Sequence, residues 1–247
     1  MIDYYVLLAP ILMLGVVALL GFVGCEIVLG LNEVDPPIKV VHLQTVTTTG
    51  GGTTLAASLP DMSGGQSQLL VVTVEWGGTA TVTLSGAMFA QIASDSLNPQ
   101  KVATFFANNV IGAVTVTATL SAPTTTEANL LVSAYDSTGG NPGAAGSAQG
   151  SGTSAVLPMQ TTGLSAGDLV YSVAIARSSG AVLSGKLVPG SAPIFMAEAG
   201  QGSYRLVQDY LLESADVAAG QINVAATNTT GTLTSLWYIF AMRLPHA

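Results

Sequence analysis

Hydrophobic positions along this chain fall into two regimes. From Tyr4 to Gly24 they are nearly continuous: 21 residues without a charge, interrupted only by Pro10 and small side chains. From about Ile38 onward they come in short runs of Thr, Val, Ala and Leu, separated by Gly, Ser and Asn. A helix rises about 1.5 Å per residue, so the first regime is long enough to cross a bilayer core of roughly 30 Å. Such an all-round apolar helix must be covered by lipid or by protein. The second regime reads as strands, because most runs alternate with period two or are β-branched and are bounded by turn residues. No stretch beyond the head holds a 3.6-residue period over three turns.

The predicted strands are Val40–Thr48, Leu69–Trp76, Thr79–Ser85, Val102–Asn108, Val114–Leu120 and Asn129–Tyr135, then Ser154–Gln160, Leu169–Ala176, Ala181–Leu187, Tyr204–Glu213, Gln221–Thr227 and Ser235–Leu244. A Gly/Ala/Ser-rich stretch from Ser137 to Gly152 separates the two sets. The sets resemble each other: Ser67-Gln68-Leu69-Leu70-Val71 matches Gly167-Asp168-Leu169-Val170-Tyr171, and Leu84-Ser85-Gly86 matches Leu183-Ser184-Gly185. Likewise Val102–Ala107 parallels Val207–Leu212, Val114–Thr119 parallels Ile222–Thr227, and Leu130–Tyr135 parallels Leu236–Ala241. The expected fold is therefore all-β: a two-sheet, jelly-roll-like β-sandwich of ten to twelve strands built from two similar halves, preceded by one apolar N-terminal helix. Residues 1–31 form the apolar signal, anchor or assembly helix, and 32–37 an acidic Pro-Pro linker. Residues 38–247 form one domain, with halves at about 38–136 and 153–247. Two tandem immunoglobulin-like domains are the alternative.

The head allows three readings. Phe22-Val23-Gly24-Cys25 resembles the bacterial lipobox, which makes Cys25 the lipidation candidate and the chain a lipoprotein. The segment also reads as an uncleaved signal anchor, or as a helix buried in a filament or virion core. The expected location is exported, at a bacterial cell surface or extracellular and membrane-anchored, with residues 4–31 meeting a membrane or other copies of the chain in a homo-oligomer. Cys25 is the single cysteine, so no intrachain disulfide or cysteine-based metal cluster forms.

Composition narrows the function. Charged residues make up only 8% of the 247 residues, against about 25% in an average soluble domain. The surface must therefore be covered by Thr, Ser, Asn, Gln and Gly. The formal net charge is −8, and the six Lys and Arg residues are scattered, which argues against nucleic acid as a partner. Histidine catalysis would depend on His42, since the other histidine, His246, lies in the tail. No G-x-S-x-G elbow, H-E-x-x-H pair or P-loop occurs.

Carboxylates are the remaining catalytic option, because jelly rolls can bind or cleave glycans with two acids across a concave sheet. Glu75, Asp95, Asp136, Glu198, Asp209 and Glu213 are available. Glu75 beside Trp76 is the most suggestive pair, an acid next to an aromatic platform for a sugar. The opposing reading packs Trp76 in the core and points Glu75 to solvent at a strand end. Asp136-Ser137-Thr138-Gly139-Gly140-Asn141 carries oxygen ligands but lacks the spaced acids of a calcium loop, and reads as a plain turn. No metal, cofactor or catalytic residue is expected.

The strand runs Gln68–Trp76, Lys101–Ala107, Val114–Leu120 and Leu130–Asp136 resemble a recurrent β-sandwich of secreted bacterial proteins. Gly167-Asp168-Leu169-Val170 and Phe240-Ala241-Met242-Arg243 are similar to its second half. The resemblance covers about residues 60–244. It implies an extracellular jelly roll of unassigned activity and carries no site residue across. The functional expectation is a non-catalytic, membrane-tethered, surface-exposed sandwich with a structural or adhesive role. The alternatives are a filament or virion subunit with its helix packed in the assembly core, and a glycan-binding or glycan-cleaving jelly roll.

Overall fold

The computed structural model describes residues 40–61, 64–97, 100–124, 128–136, 138–143, 145–151, 154–161, 165, 167–177, 183–188, 195–199, 204–212, 220–228 and 236–247. The apolar head, the linker and Cys25 lie outside the described residues. Eight strands fill the first half: β1 Val41–Gly50, β2 Thr54–Leu59, β3 Gln68–Gly77, β4 Val82–Ser85, β5 Ala90–Leu97, β6 Gln100–Val110, β7 Val114–Leu120 and β8 Ala128–Asp136. Eight follow in the second: β9 Ala145–Ser151, β10 Ser154–Thr161, β11 Leu169–Arg177, β12 Leu183–Val188, β13 Phe195–Ala199, β14 Tyr204–Leu212, β15 Gly220–Asn228 and β16 Leu236–Leu244.

The described chain is all-β, and its strand pairings are antiparallel. Four sheets replace the two expected, because each half carries a five-stranded and a three-stranded sheet. The first half orders its strands β1-β8-β3-β6-β5 and β2-β7-β4. The second orders them β9-β16-β11-β14-β13 and β10-β15-β12, so adding eight to each strand number turns one half into the other. The stretch that reads as a linker holds β9, which pairs with β16 as the first strand of the second half. Pro158 sits in β10, an edge strand, where its missing N–H costs the ladder least.

Side-chain alternation on β3 shows how the sheets stack. Leu70, Val72, Val74 and Trp76 point to one side and pack with Leu55, Ala57 and Leu59 of β2 and Val116, Ala118 and Leu120 of β7. Leu69 and Val71 point to the other side, into a cluster with Leu169, Tyr171, Val173 and Ile175 of β11 and Tyr238, Phe240, Met242 and Leu244 of β16. β3 is therefore buried at every position, as is β8 up to Tyr135. This explains their near-continuous apolar runs, since a strand covered on both faces needs no polar alternation. β2, covered on one face, alternates exposed and buried without exception. β10 and β12 lie against β16, β11 and β14 on the far side of the second half.

A polar pin crosses the shared cluster. Thr73 meets Thr104 across the sheet at 3.0 Å and the Tyr171 hydroxyl of the other half at 2.9 Å. Tyr171 also packs edge-on against Tyr135, with ring centroids 6.5 Å apart. A satisfied hydroxyl network inside an apolar layer specifies one alignment of the two sheets.

Phe240 is 1% exposed and belongs to the layer between the halves. Phe240→Ala is expected to cost about 3–5 kcal/mol in denaturant unfolding. A loss below about 1 kcal/mol would show that this layer is not packed as described.

Candidate functional site

The residues expected to carry chemistry are placed apart. Trp76 is 4% exposed and donates its indole N–H to the Ala80 carbonyl at 2.8 Å. Glu75 leaves the opposite face of β3, is fully buried, and accepts a hydrogen bond from Nδ2 of Asn129. Neither is offered to solvent as an acid-and-aromatic platform. Glu75 also departs from the reading that pointed it outward: Thr49 donates to the Asn129 Oδ1 at 2.8 Å, so a polar row crosses β1, β8 and β3 inside the fold. The row supplies one carboxylate oxygen with a donor, which offsets part of the cost of burying the group.

His42 lies on β1, edge-on against Tyr135 at 5.5 Å, and burial lowers its pKa below the usual histidine value. Asp95 on β5 accepts from Gln149 of β9 and from the Ser96 backbone N–H at 2.7 Å, fastening the edge of one half to the other. Burial, and after it the charge of Asp95, pushes the Tyr238 hydroxyl pKa upward. Glu198 and Asp209 fall on β13 and β14, and Glu213 lies outside the described residues.

A dense polar cluster among the described residues centres on a residue absent from the sequence-based candidates. Asp168 is fully buried at the entry to β11, just after Gly167 with its φ of 101°. Its Oδ2 accepts from the Ser165 backbone N–H at 2.8 Å and from Arg243 Nε at 2.7 Å. Its Oδ1 accepts from the His246 backbone N–H at 3.0 Å and lies 2.8 Å from His246 Nδ1. Burial alone would raise the Asp168 pKa, but the hydrogen bonds from Ser165, His246 and Arg243 outweigh it and hold the carboxyl below its ordinary value. Thus His246, in the tail, is paired with an acid. An acid-histidine pair orients an imidazole in hydrolases. Here the same carboxylate also carries an arginine and two backbone amides, which suits a clamp.

What the clamp holds is the tail. Gly139 donates to the Pro245 carbonyl at 2.7 Å and Gly143 to the Arg243 carbonyl at 2.8 Å. Thr138 bridges to His246. A Cβ at Gly139 would stand 2.2 Å from the His246 carbonyl oxygen, so only glycine permits this approach. The signal for Asp168 in the sequence is slight: a Gly-Asp pair before a strand, whose partners lie 75 and 78 residues away.

The exposed chemistry lies elsewhere, on the outer face of β2-β7-β4. Thr54, Ala56 and Ser58 alternate with the buried leucines and alanine of β2, and Thr115, Thr117 and Thr119 do the same on β7. Thr83 and Ser85 extend the pattern on β4. Register aligns them in rows, Thr54-Thr119-Thr83 and Ala56-Thr117-Ser85, with Ser58 beside Thr115 and their hydroxyls 2.9 Å apart. The face is a charge-free lattice of hydroxyls and methyls. Among the described residues no group of three or more His, Cys, Asp or Glu side chains converges on a metal position.

No protein-family model matches the chain, and no curated protein matches it in sequence.

The clamp yields a pH signature. A carboxylate with a depressed folded pKa adds stability above its unfolded value of about 3.9, and that stability is lost as pH falls through the folded pKa. Asp168→Asn should lower stability by roughly 2 kcal/mol at pH 7, and the gap from the parent protein should close below about pH 4. Urea midpoints at pH 7 and pH 3 read this directly. His42, with a lowered pKa, loses its contribution in a separate window that opens below about pH 6.5. A gap unchanged between the two pH values would remove Asp168 as the clamp.

Proposed function

We propose that this chain is a non-catalytic module with a structural or adhesive role, displayed outside the cell and tethered through its apolar head, with Cys25 as the lipidated residue. Each half, with sheets ordered 1-8-3-6-5 and 2-7-4, is read as a jelly roll of the kind the sequence resembles in secreted bacterial proteins. The observation that carries the adhesive reading is the Thr/Ser lattice of β2-β7-β4. A regular, uncharged sheet face offers many weak hydrogen bonds and methyl contacts at once, and many weak contacts add up across an extended surface. The polar side chains of the Asp168 and Glu75 clusters are meanwhile occupied within the fold, where they hold structure.

The tether is tested by labelling cells with radioactive palmitate: the label should appear on the parent protein and vanish in Cys25→Ser. Label retained by Cys25→Ser would exclude lipidation there. Polymers of the full-length chain that disappear when residues 1–31 are deleted would instead support the filament or virion reading.

The face is tested by Thr117→Lys. Its outward position leaves the core intact, so unfolding should change by less than about 0.5 kcal/mol, while attachment of displaying cells to surfaces should fall at least severalfold. Unchanged attachment in Thr117→Lys, and in a variant adding Thr119→Lys, would exclude this face.

A further inference from the structure

We infer that the fold holds a binding site for a neutral sugar unit, in the polar cavity beside the clamped tail. The cavity has a volume of about 480 Å³. Three parts of the chain converge on it: the start of β3 with Gln68, the end of β6 with Asn108 and Asn109, and the turn after β8 with Asp136, Thr138 and Asn141. Asp136, Thr138 and Asn141, from the stretch that reads as a plain turn in the sequence, thus form one wall of a larger site.

Gln68 is only 3% exposed and lines the cavity. Its amide nitrogen donates to the Gly112 carbonyl at 3.2 Å, while its carbonyl oxygen meets no donor among the described residues. A buried acceptor left open costs free energy until something donates to it. Elsewhere in the lining, the Asn108 side-chain amide donates to the Asn141 side-chain carbonyl. Asn109 has a φ of 56°, the single positive value among described residues other than glycine. Asparagine tolerates that conformation, and such conformations gather at functional sites.

The chemistry of these groups selects the ligand class. Carboxamides supply donors and acceptors together, which fits hydroxyls that do both. Among the six residues only Asp136 is charged, one carboxylate where calcium sites use several. A bare ion would also fill little of this volume, whereas a monosaccharide fits within the few hundred Å³ typical of small-ligand pockets. The inference names a ligand for the displayed module but involves neither the tether nor the Thr/Ser face.

The test uses detergent-solubilised full-length protein, so its outcome is independent of display. A panel of free hexoses and N-acetylhexosamines is screened by saturation-transfer NMR with chelator present, and responders are titrated. At least one sugar should bind with a millimolar dissociation constant. Asn141→Ala, an exposed change that spares the core, should weaken it about tenfold, and Gln68→Leu should do likewise. Gln91→Ala, in the separate cavity of about 440 Å³ beside Trp76, should leave binding unchanged. If Gln68→Leu fails to fold, Asn141→Ala decides. No response across the panel, equal binding by Asn141→Ala, or a response that appears only when calcium is added would each overturn the sugar site.

Discussion

The structure depends on one apolar layer shared by two half-molecules. Leu69, Val71 and Leu131 from the first half and Tyr171, Val173, Phe240 and Met242 from the second sit in a single buried cluster. Each five-stranded sheet would otherwise turn an apolar face to water. A layer of this kind is worth about 25 cal/mol for each Å² of apolar surface it removes from water. Area alone does not set alignment, because apolar side chains slide against one another. The Thr73–Tyr171 hydrogen bond at the middle of the layer supplies the direction that packing lacks.

The layer also explains where polar groups go. The five-stranded sheet of the first half has no wet face at its centre, so Glu75 and Asn129 bond to one another inside the fold. The three-stranded sheet β2-β7-β4 has a free outer face, and there the chain places threonine and serine rather than charge. The halves are further fastened at an edge, where Asp95 meets Gln149. The tail is held separately, by Asp168 at the entry to β11. Surface lattice, buried row and clamp are three answers to one scarcity, a chain with charges at only 8% of its positions.

Much of this fold is legible in the sequence, and the failures have a pattern. Twelve of the sixteen strands match predicted runs; β2, β5, β9 and β13 do not. All four are edge strands. β9, Ala-Gly-Ser-Ala-Gln-Gly-Ser, has no large apolar side chain and is held by backbone pairing to β16 alone in its sheet. The internal duplication is visible, yet its registers slip. Aligning β3 with β11 places Val102 opposite Leu206 rather than Val207, and Leu130 opposite Ile239 rather than Leu236. An odd slip reverses which face a side chain occupies. It goes unnoticed here because strands buried on both sides carry near-continuous apolar runs and lack a clean period to lock onto. The Asp168 cluster is illegible for another reason: its donors come from Arg243 and His246, and only the folded chain brings them together.

The central claim is that the two halves are one folding unit because they share a core. Scanning calorimetry of the full-length chain in detergent tests it most directly. The account predicts a single cooperative transition for the β-region, displaced as a whole by Phe240→Ala. Two resolved transitions, with Phe240→Ala moving only one of them, would contradict it.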